Sequence, residues 1–271
     1  MMIIEKNKSF DSFFEEYHLS VSYNGYVHTD GMWRQNEVQC PWSRLYYILD
    51  GDGFFVCGGK EIAIEPGYVY FAPCGATYGF YSNTSIEKLF FHVNVIKPDG
   101  YDLFNSAEAR IMRFECRRDK ISELLECFRS KDPIKQMLLK AELWKTVARF
   151  AYEMLGEDFV KESYSPQVIS AISYIRANLT ASLKTETVAS ESFCSPSCLN
   201  EHFKREVGVT VAKYIDDLLM FEARRRLVSE DESIGEISSA LGYCDQFYFS
   251  RRFTGRFGMS PKDYRKFRGE S

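Results

Sequence analysis

An internal repeat in the C-terminal part of this 271-residue chain constrains its fold more than any other feature. Three pairs of residues recur at an offset of fifty positions: Phe203 and Phe253, Gly208 and Gly258, and Tyr214 and Tyr264. Ser195 and Asp245 each open a segment with apolar residues at i and i+4, which is typical of a capped amphipathic helix. A shorter helical segment precedes each one, at residues 187–191 and 234–238. A short helix, a turn and a capped helix, occurring twice, predict two helix-turn-helix motifs.

A single helix is predicted to join the two motifs over approximately residues 211–228, with Ala223 and Leu227 facing the core. Such a helix would hold the second helices of the two motifs about 34 Å apart, which is one turn of DNA. The whole chain has a net charge of −4, but residues 251–268 hold seven basic residues against one acid, Asp263. A local excess of this kind attracts phosphate backbones, although an ordinary solvated helix is the alternative.

The first hundred or so residues have a different pattern, in which short β-type runs alternate with glycine-containing turns. The runs are residues 45–49, 54–57, 61–64 and 68–71. They predict a compact barrel or sandwich. Residues 1–110 hold 22 of the 42 aromatic residues, which indicates a barrel core, a lined ligand cavity, or both.

From about residue 119 the apolar residues follow a 3.6-residue period, which predicts two helices packed antiparallel. Asp132 and Pro133 provide an N-cap and a first-turn proline for the second helix. Residues 156–166 have the composition of a linker. The two helices are expected to form a connector or a dimer surface.

The C-terminal residues resemble the AraC/XylS family of bacterial transcription regulators over roughly residues 183–268. The segments that carry the resemblance are Ser233-Ile234-Gly235-Glu236-Ile237-Ser238, Leu241-Gly242-Tyr243, Tyr248-Phe249-Ser250-Arg251 and Gly258-Met259-Ser260-Pro261. The resemblance implies that double-stranded DNA is a partner and that the chain regulates transcription at specific sequences.

An α-helix fits the major groove and presents the exposed side chains near its N-terminus to base edges. The helix pattern and the resemblance together indicate base contacts by Ser197, Asn200, Glu201, Gln246, Phe247, Ser250 and Arg251. For Glu201 a solvated charge paired with Arg205 is the alternative. Phosphate contacts are predicted for Lys204, Arg252, Arg256 and Lys262. The apolar residues Leu199, Phe203, Phe249 and Phe253 are expected to hold the motifs together.

Residues 44–53, 65–73 and 89–95 resemble, more loosely, the cupin-type barrel that many members of this family use as a sensor. The resemblance implies a small-molecule effector, with a sugar or sugar-like metabolite as the first expectation. The predicted effector pocket comprises Trp33, Arg44, Tyr46, Tyr78, Phe80 and His92, with Trp42 as a further stacking face, and it suits a small, neutral, polar ligand. A role in plain barrel core is the alternative for each residue, and Arg44 suits a core least because a buried arginine needs a partner.

The expected fold is therefore α+β with two domains. A cupin-like β-barrel occupies residues 1–112, connecting and dimerising helices occupy 113–160, and an all-α domain with two helix-turn-helix motifs occupies 161–271. The chain is expected to act as a homodimer, and activation would further require contacts with RNA polymerase. The sequence determines neither the effector, nor the operator, nor the choice between activation and repression.

A metal-dependent cupin enzyme is the rival interpretation. No histidine occurs between His28 and His92, and Tyr78 stands where the second motif of such enzymes has histidine. A metal needs three or four converging ligands, so neither a metal, nor a cofactor, nor enzymatic activity is expected. A regulator whose barrel lacks a ligand and serves only for dimerisation is a further alternative.

The cellular location is expected to be the cytoplasm. No apolar run is long enough to span a bilayer, and the N-terminal residues lack a signal-peptide pattern. The eight cysteines are accordingly expected as reduced thiols.

Overall fold

The computed structural model describes residues 17–29, 33–40, 42–105, 110–156, 164–228 and 232–267. The chain divides into two units, Met1–Val160 and Lys161–Ser271. Arg268 of the basic segment and residues 157–163 of the predicted linker lie outside the described residues. Within the described ranges, no helix combines the length and the apolar character needed to cross a membrane.

Two antiparallel sheets form the described part of the first unit. Their strands are β1 (His18–His28), β2 (Arg34–Gln39), β3 (Ser43–Asp50), β4 (Gly53–Cys57), β5 (Lys60–Ile64), β6 (Tyr68–Ala72), β7 (Thr77–Ser82), β8 (Glu87–Ile96) and β9 (Met112–Glu115). The first sheet has the order β1-β8-β3-β6-β9 and the second has the order β2-β7-β4-β5. Because β9 pairs with β6, the sheet continues to Glu115, and the expected barrel boundary at residue 112 falls inside this strand.

Side chains alternate across the first sheet and divide the interior of the unit in two. Leu45 and Tyr47 of β3 and Leu89 of β8 belong to an apolar core shared with the helices that follow. Tyr46, at an intervening position, contacts the second sheet, where its ring centroid lies 5.6 Å from that of Phe55. The interior between the two sheets is therefore separate from the core beneath the helices.

Helices α1 (Arg118–Arg129) and α2 (Pro133–Leu155) pack on the outer face of the first sheet. Asp132 accepts a hydrogen bond from the Ile134 amide, and Pro133 occupies the first turn, so the predicted start of α2 is confirmed. The buried residues of α2 recur at helical spacing: Leu139, Leu143, Val147 and Phe150. The apolar period found in the sequence is thus the face that packs against the sheet.

The described part of the second unit is helical. Its helices are α3 (Pro166–Ala177), α4 (Thr185–Glu191), α5 (Pro196–Glu206), α6 (Val211–Val228), α7 (Ile234–Ala240), α8 (Gln246–Phe257) and α9 (Pro261–Phe267). The starts of α5 and α8 lie fifty positions apart, as the repeat predicts. The four core residues predicted for the motifs are all 0% exposed: Leu199, Phe203, Phe249 and Phe253. The predicted α+β fold, with a β-rich first domain and a helical second domain, is confirmed.

The turns inside the two motifs differ by one residue. Four residues separate α4 from α5, whereas five separate α7 from α8. The left-handed backbone position is filled by Gly242 (φ +76°) in the second motif and by Phe193 (φ +54°) in the first. A side chain in this region costs about 1 kcal/mol, so the first motif carries local strain that the second avoids.

Candidate nucleic-acid interface and effector site

Helix α8 begins at a strong N-cap. The Asp245 carboxylate accepts hydrogen bonds from the amides of Phe247 (2.7 Å) and Tyr248 (2.8 Å). Gly235 of α7 gives the side chain of Gln246 room, because a Cβ at Gly235 would lie 3.0 Å from the Gln246 Oε1 atom. The first turn of α8 is therefore fixed in conformation and in its position against α7.

The four predicted base-contact residues of α8 lie at its surface. Gln246, Phe247 and Arg251 are exposed, and Ser250 is half-buried. The Phe247 side chain is 75% exposed, although burying an aromatic ring of this size would stabilise the fold. Phe247 and Arg251 are four positions apart and so share one face of the helix. This face presents one apolar and one cationic side chain to a partner.

Of the three predicted base-contact residues of the first motif, Ser197 and Glu201 are exposed and Asn200 is half-buried. The Asn200 amide is committed to the protein, because its Oδ1 accepts from the Val211 amide (3.1 Å) and its Nδ2 donates to the Pro196 carbonyl (3.1 Å). Asn200 thus joins α5 to the start of α6, and its amide is already hydrogen-bonded within the protein at a position where a base contact is predicted.

The charge pairing in α5 also differs from the alternative considered for Glu201. Arg205, its expected partner, donates instead to the Glu206 carboxylate at 2.6 Å. The Glu206 carboxylate additionally accepts from the Ser165 amide at 2.7 Å. Arg205 therefore belongs to a contact between α5 and the start of α3, and Glu201 is an exposed charge on the face of the predicted base contacts.

The predicted phosphate contacts are all exposed: Lys204, Arg252, Arg256 and Lys262. Arg252 donates to Asp216 of α6, and Arg256 donates to Asp217 at 2.7 Å. These pairs hold both guanidinium groups beside a surface groove of about 360 Å³, which Arg251 also lines. Exposed ion pairs contribute at most about 1 kcal/mol, so a phosphate can compete for either arginine.

The six predicted effector-pocket residues come together between the two sheets of the first unit. They are Trp33, Arg44, Tyr46, Tyr78, Phe80 and His92, and each is between 1% and 9% exposed. Arg44 Nη1 donates to the hydroxyls of Tyr46 (3.1 Å) and Tyr78 (3.2 Å). Because Tyr46 lies on β3 and Tyr78 on β7, this arginine links the two sheets.

The imidazole of His92 is buried among aromatic rings. It stacks on Trp42, with ring centroids 5.2 Å apart, and lies 5.4 Å from the Tyr23 ring. Neither of its ring nitrogens has a hydrogen-bond partner among the described residues. Burial, and then the positive charges of Arg44 and Lys88, hold the pKa of His92 well below its ordinary value. The neutral ring therefore keeps an unused donor and an unused acceptor.

Lys88 of β8 belongs to this interior, although it is absent from the predicted pocket. It is 2% exposed, and its Nζ lies 3.5 Å from the ring centroid of Trp33 and 4.8 Å from that of Tyr46. Burial and the nearby Arg44 hold the pKa of Lys88 well below its ordinary value. Lys88 and His92 lie four positions apart within an apolar strand, and this even spacing was the available signal, because alternate residues share a face.

The buried carboxylate of Asp102 has a structural role. It accepts hydrogen bonds from the Asn94 side chain (2.8 Å) and from the amides of Val95 (3.1 Å) and Phe104 (2.8 Å). It thereby ties the segment after β8 back to that strand. Within the described ranges, no group of three or more histidine, cysteine and acidic side chains is placed to hold a metal ion.

Comparison with known protein families matches residues 188–266 to a helix-turn-helix domain. The chain is similar to the uncharacterized HTH-type transcriptional regulator YobQ of Bacillus subtilis, with 25% identity over 83% of this chain and 86% of that protein. It is also similar to the xylose operon regulatory protein of Escherichia coli, with 36% identity, over 39% of this chain and 27% of that protein.

Among solved structures, an apo variant of ToxT from Vibrio cholerae has a similar fold, with a TM-score of 0.51 and 14% identity. The alignment covers 92% of this chain and 97% of that one. At this level of identity the likeness concerns the fold alone. It extends over both units, whereas the match to the helix-turn-helix domain lies within the second unit.

Proposed function

We propose that this chain is a transcriptional regulator of the AraC/XylS type, which binds specific double-stranded DNA sequences and regulates transcription in response to a small effector. The observation that most supports DNA binding is the exposed face of α8. There the exposed Phe247 ring shares a helix face with Arg251, and Arg251 lines the same groove as Arg252 and Arg256. Such a face supplies both base contacts and phosphate contacts.

The roles of the side chains follow from their chemistry. Arg251 suits the two acceptors of guanine, Gln246 suits adenine, and Phe247 suits a thymine methyl group. Ser250 and, in the first motif, Ser197 and Glu201 complete the proposed base contacts. Glu201 would accept a hydrogen bond from a cytosine amino group. The proposed phosphate contacts position the helices on the duplex, and they are made by Lys204, Arg252, Arg256 and Lys262.

We further propose that the chain works as a homodimer through α2. Four large apolar side chains of this helix are exposed: Ile134 (63%), Met137 (66%), Leu138 (58%) and Tyr152 (62%). The first three recur at i, i+3 and i+4 and lie on one face, opposite the face that packs on the sheet. A second copy of the same helix would bury this face in an isologous interface.

The effector is proposed to bind between the two sheets of the first unit, where the buried polar side chains converge. The similarity to the xylose operon regulatory protein covers 27% of that protein and 39% of this chain, so it supports no sugar specificity. A barrel that serves only for dimerisation is the alternative. The unpartnered nitrogens of His92 favour a ligand-binding interior, because buried polar groups without partners are costly.

Selection of bound duplexes from a random library, followed by fluorescence anisotropy, tests the proposed function. We expect an enriched sequence with two blocks about one helical turn apart and an affinity at least a thousandfold above that for random duplex. Equal affinity for all duplexes would overturn the proposal. The binding measurements must be made at one stated salt concentration, because phosphate contacts make affinity salt-dependent.

A further inference from the structure

We propose that the site between the two sheets of the first unit takes an organic carboxylate, that is, an anionic head group on an apolar or aromatic body. The inference rests on the proposed function, in which the first unit binds the effector. It replaces the neutral, sugar-like ligand expected from the sequence. The inference is supported by the positive charge of the interior and by the aromatic residues that form its walls.

Three basic side chains converge in this interior. Arg44 and His92 are each 1% exposed, and Lys88 is 2% exposed. Among the described residues, the charges that act on Lys88 and His92 are positive: Arg44 acts on both, and Lys88 acts on His92. Burying charge in a low-dielectric interior costs free energy unless an opposite charge compensates it. An anion placed beside Arg44 and Lys88 would provide that compensation, while the neutral His92 ring lies close enough to offer a hydrogen bond.

The donor set favours a carboxylate. A guanidinium group matches the two oxygens of a carboxylate with parallel hydrogen bonds, and an ammonium group adds a compact charge. The unpartnered nitrogens of His92 offer a further donor to the same head group. The hydroxyls of Tyr46 and Tyr78 accept from Arg44 and lie 3.4 Å apart, so one can donate to the other and the second can donate to a bound anion.

The walls favour an apolar or aromatic body. Trp33 stacks on Phe80 with ring centroids 4.2 Å apart and meets Phe55 edge-on at 5.8 Å. Each hydroxyl of a sugar would need its own hydrogen-bond partner among such rings. Inorganic phosphate would leave this aromatic surface without a partner. An organic acid satisfies both the charge and the rings.

Binding would change the surroundings of Trp33. Its ring covers one side of the ammonium of Lys88 at 3.5 Å, so a carboxylate bonded to Lys88 would lie beside the ring. Trp33 immediately precedes β2, the edge strand of the second sheet, so a shift of the ring would be passed to that strand. The emission of Trp33 is therefore a direct reporter of binding.

The test uses the full chain with sodium benzoate and sodium hexanoate, and with benzamide and hexanamide as uncharged counterparts of the same shape. Ionic strength is matched with sodium chloride. We expect at least one carboxylate near saturation to raise the melting temperature by roughly 5 °C and to change tryptophan emission. Its amide should do neither. Absence of a shift with both carboxylates, or equal shifts with the amides, would overturn the proposal.

Lys88→Met locates the effect, because it removes the charge and keeps the length of an apolar chain. We expect this variant to lose the carboxylate response, while Lys60→Met, the same change at an exposed position on β5, keeps it. A carboxylate response that survives in Lys88→Met would overturn the proposal. The comparison between acids and amides needs no variant, so the test stands even if Lys88→Met fails to fold.

DNA binding, measured on the same samples, separates this inference from the function on which it rests. A protein that binds its selected duplex but responds to neither carboxylate overturns the inference alone. A protein that responds to a carboxylate but binds all duplexes equally overturns the proposed function and leaves the anion site standing.

Discussion

Each unit of this chain gathers basic side chains, but the two clusters have opposite environments. Arg44, Lys88 and His92 of the first unit are at most 2% exposed and lie among aromatic rings. Arg252 and Arg256 of the second unit are each 46% exposed and are paired with acids of α6. The same kinds of charge are thus buried in one unit and displayed in the other.

The difference shows what each cluster can bind. A displayed cluster is attracted to a polyanion over a wide surface, and salt screens the attraction. A buried cluster is screened little, and it can be compensated only by an anion small enough to enter. Basic residue counts in the sequence do not distinguish the two cases, whereas burial does.

The largest expected effect concerns Arg251. Arg251→Ala should cost about 1–3 kcal/mol of binding free energy on the selected duplex and relax the preference at one position, because a bidentate base contact is lost. Fluorescence anisotropy against the selected and single-substituted duplexes measures both. Equal losses on the selected duplex and on random DNA would remove Arg251 from the base contacts.

Arg256→Ala is the matched control from the same helix. It should weaken binding to all sequences alike and reduce the slope of log affinity against log salt by about 1, since a single phosphate contact is lost. A sequence-dependent loss for Arg256→Ala would break the division between base contacts and phosphate contacts.

In the buried cluster, removal of a basic side chain should increase the stability of the fold. Lys88→Met should raise the free energy of unfolding of the first unit by about 1–3 kcal/mol at pH 7, because an uncompensated buried ammonium is replaced by an apolar chain. Urea unfolding followed by tryptophan emission reports on this unit, since Trp33, Trp42 and Trp144 all lie within it. A variant less stable than the native protein would show that Lys88 is already compensated.

The pH dependence of Lys88 has a definite sign. Its folded pKa is lowered below the ordinary value of 10.5, so the unfolded chain binds the proton more readily than the folded one. The penalty from Lys88 is therefore present at neutral pH and disappears as pH rises through 10.5. The advantage of Lys88→Met should shrink in the same range, and a constant advantage would contradict this origin.

His92 should make the first unit sensitive to acid. Its folded pKa lies below the ordinary 6.5, so stability is lost as pH falls below 6.5, by up to about 1.4 kcal/mol per pH unit until the folded pKa is reached. The charged groups facing it are Arg44 from β3 and Lys88 from its own strand, and the Tyr23 and Trp42 rings contact it. Acid therefore destabilises the first unit because the unfolded chain takes up a proton that the buried ring resists.

His92→Gln should lose less stability between pH 7 and pH 5 than the native protein, as measured by urea unfolding at each pH. His28→Gln, which changes an exposed histidine of β1, is the matched control and should behave as the native protein does. Identical acid sensitivity in His92→Gln and the native protein would show that the acid effect has another source.

The smallest expected effect concerns the acids that hold the displayed arginines. Asp216→Asn removes the partner of Arg252 and should change the free energy of unfolding by less than about 1 kcal/mol, because the pair is exposed. It should raise DNA affinity a few-fold at low salt, since one negative charge beside the groove is lost. Weaker DNA binding in this variant would show that Asp216 orients Arg252 for its phosphate contact.

The second unit was largely predictable because its signals are local. The N-caps Ser195 and Asp245 and the repeat at fifty positions fix the starts of α5 and α8, and each motif packs mainly on its own neighbours. The role of Asn200 was not predictable in this way, since its partner Val211 lies on the next helix and only the fold brings the two together.

The first unit was less predictable because its strand pairs are distant in sequence. The runs at 45–49, 54–57, 61–64 and 68–71 became β3 to β6, but β9 joins the sheet only through its pairing with β6. The pairing of β8 with β3 and β1 places Lys88 inside the sheet. That Lys88 shares a face with His92 follows from strand alternation, but the burial of that face depends on strand pairs distant in sequence.

The most direct test of the proposed regulator is a hydroxyl-radical footprint of the full chain on its selected duplex. We expect two protected tracts per chain, about one helical turn apart on one face of the duplex, because α5 and α8 would enter successive major grooves. Arg251→Ala should weaken protection most in the tract contacted by α8. Protection of a single tract, or protection that is the same on every sequence, would contradict a regulator that contacts DNA through both motifs.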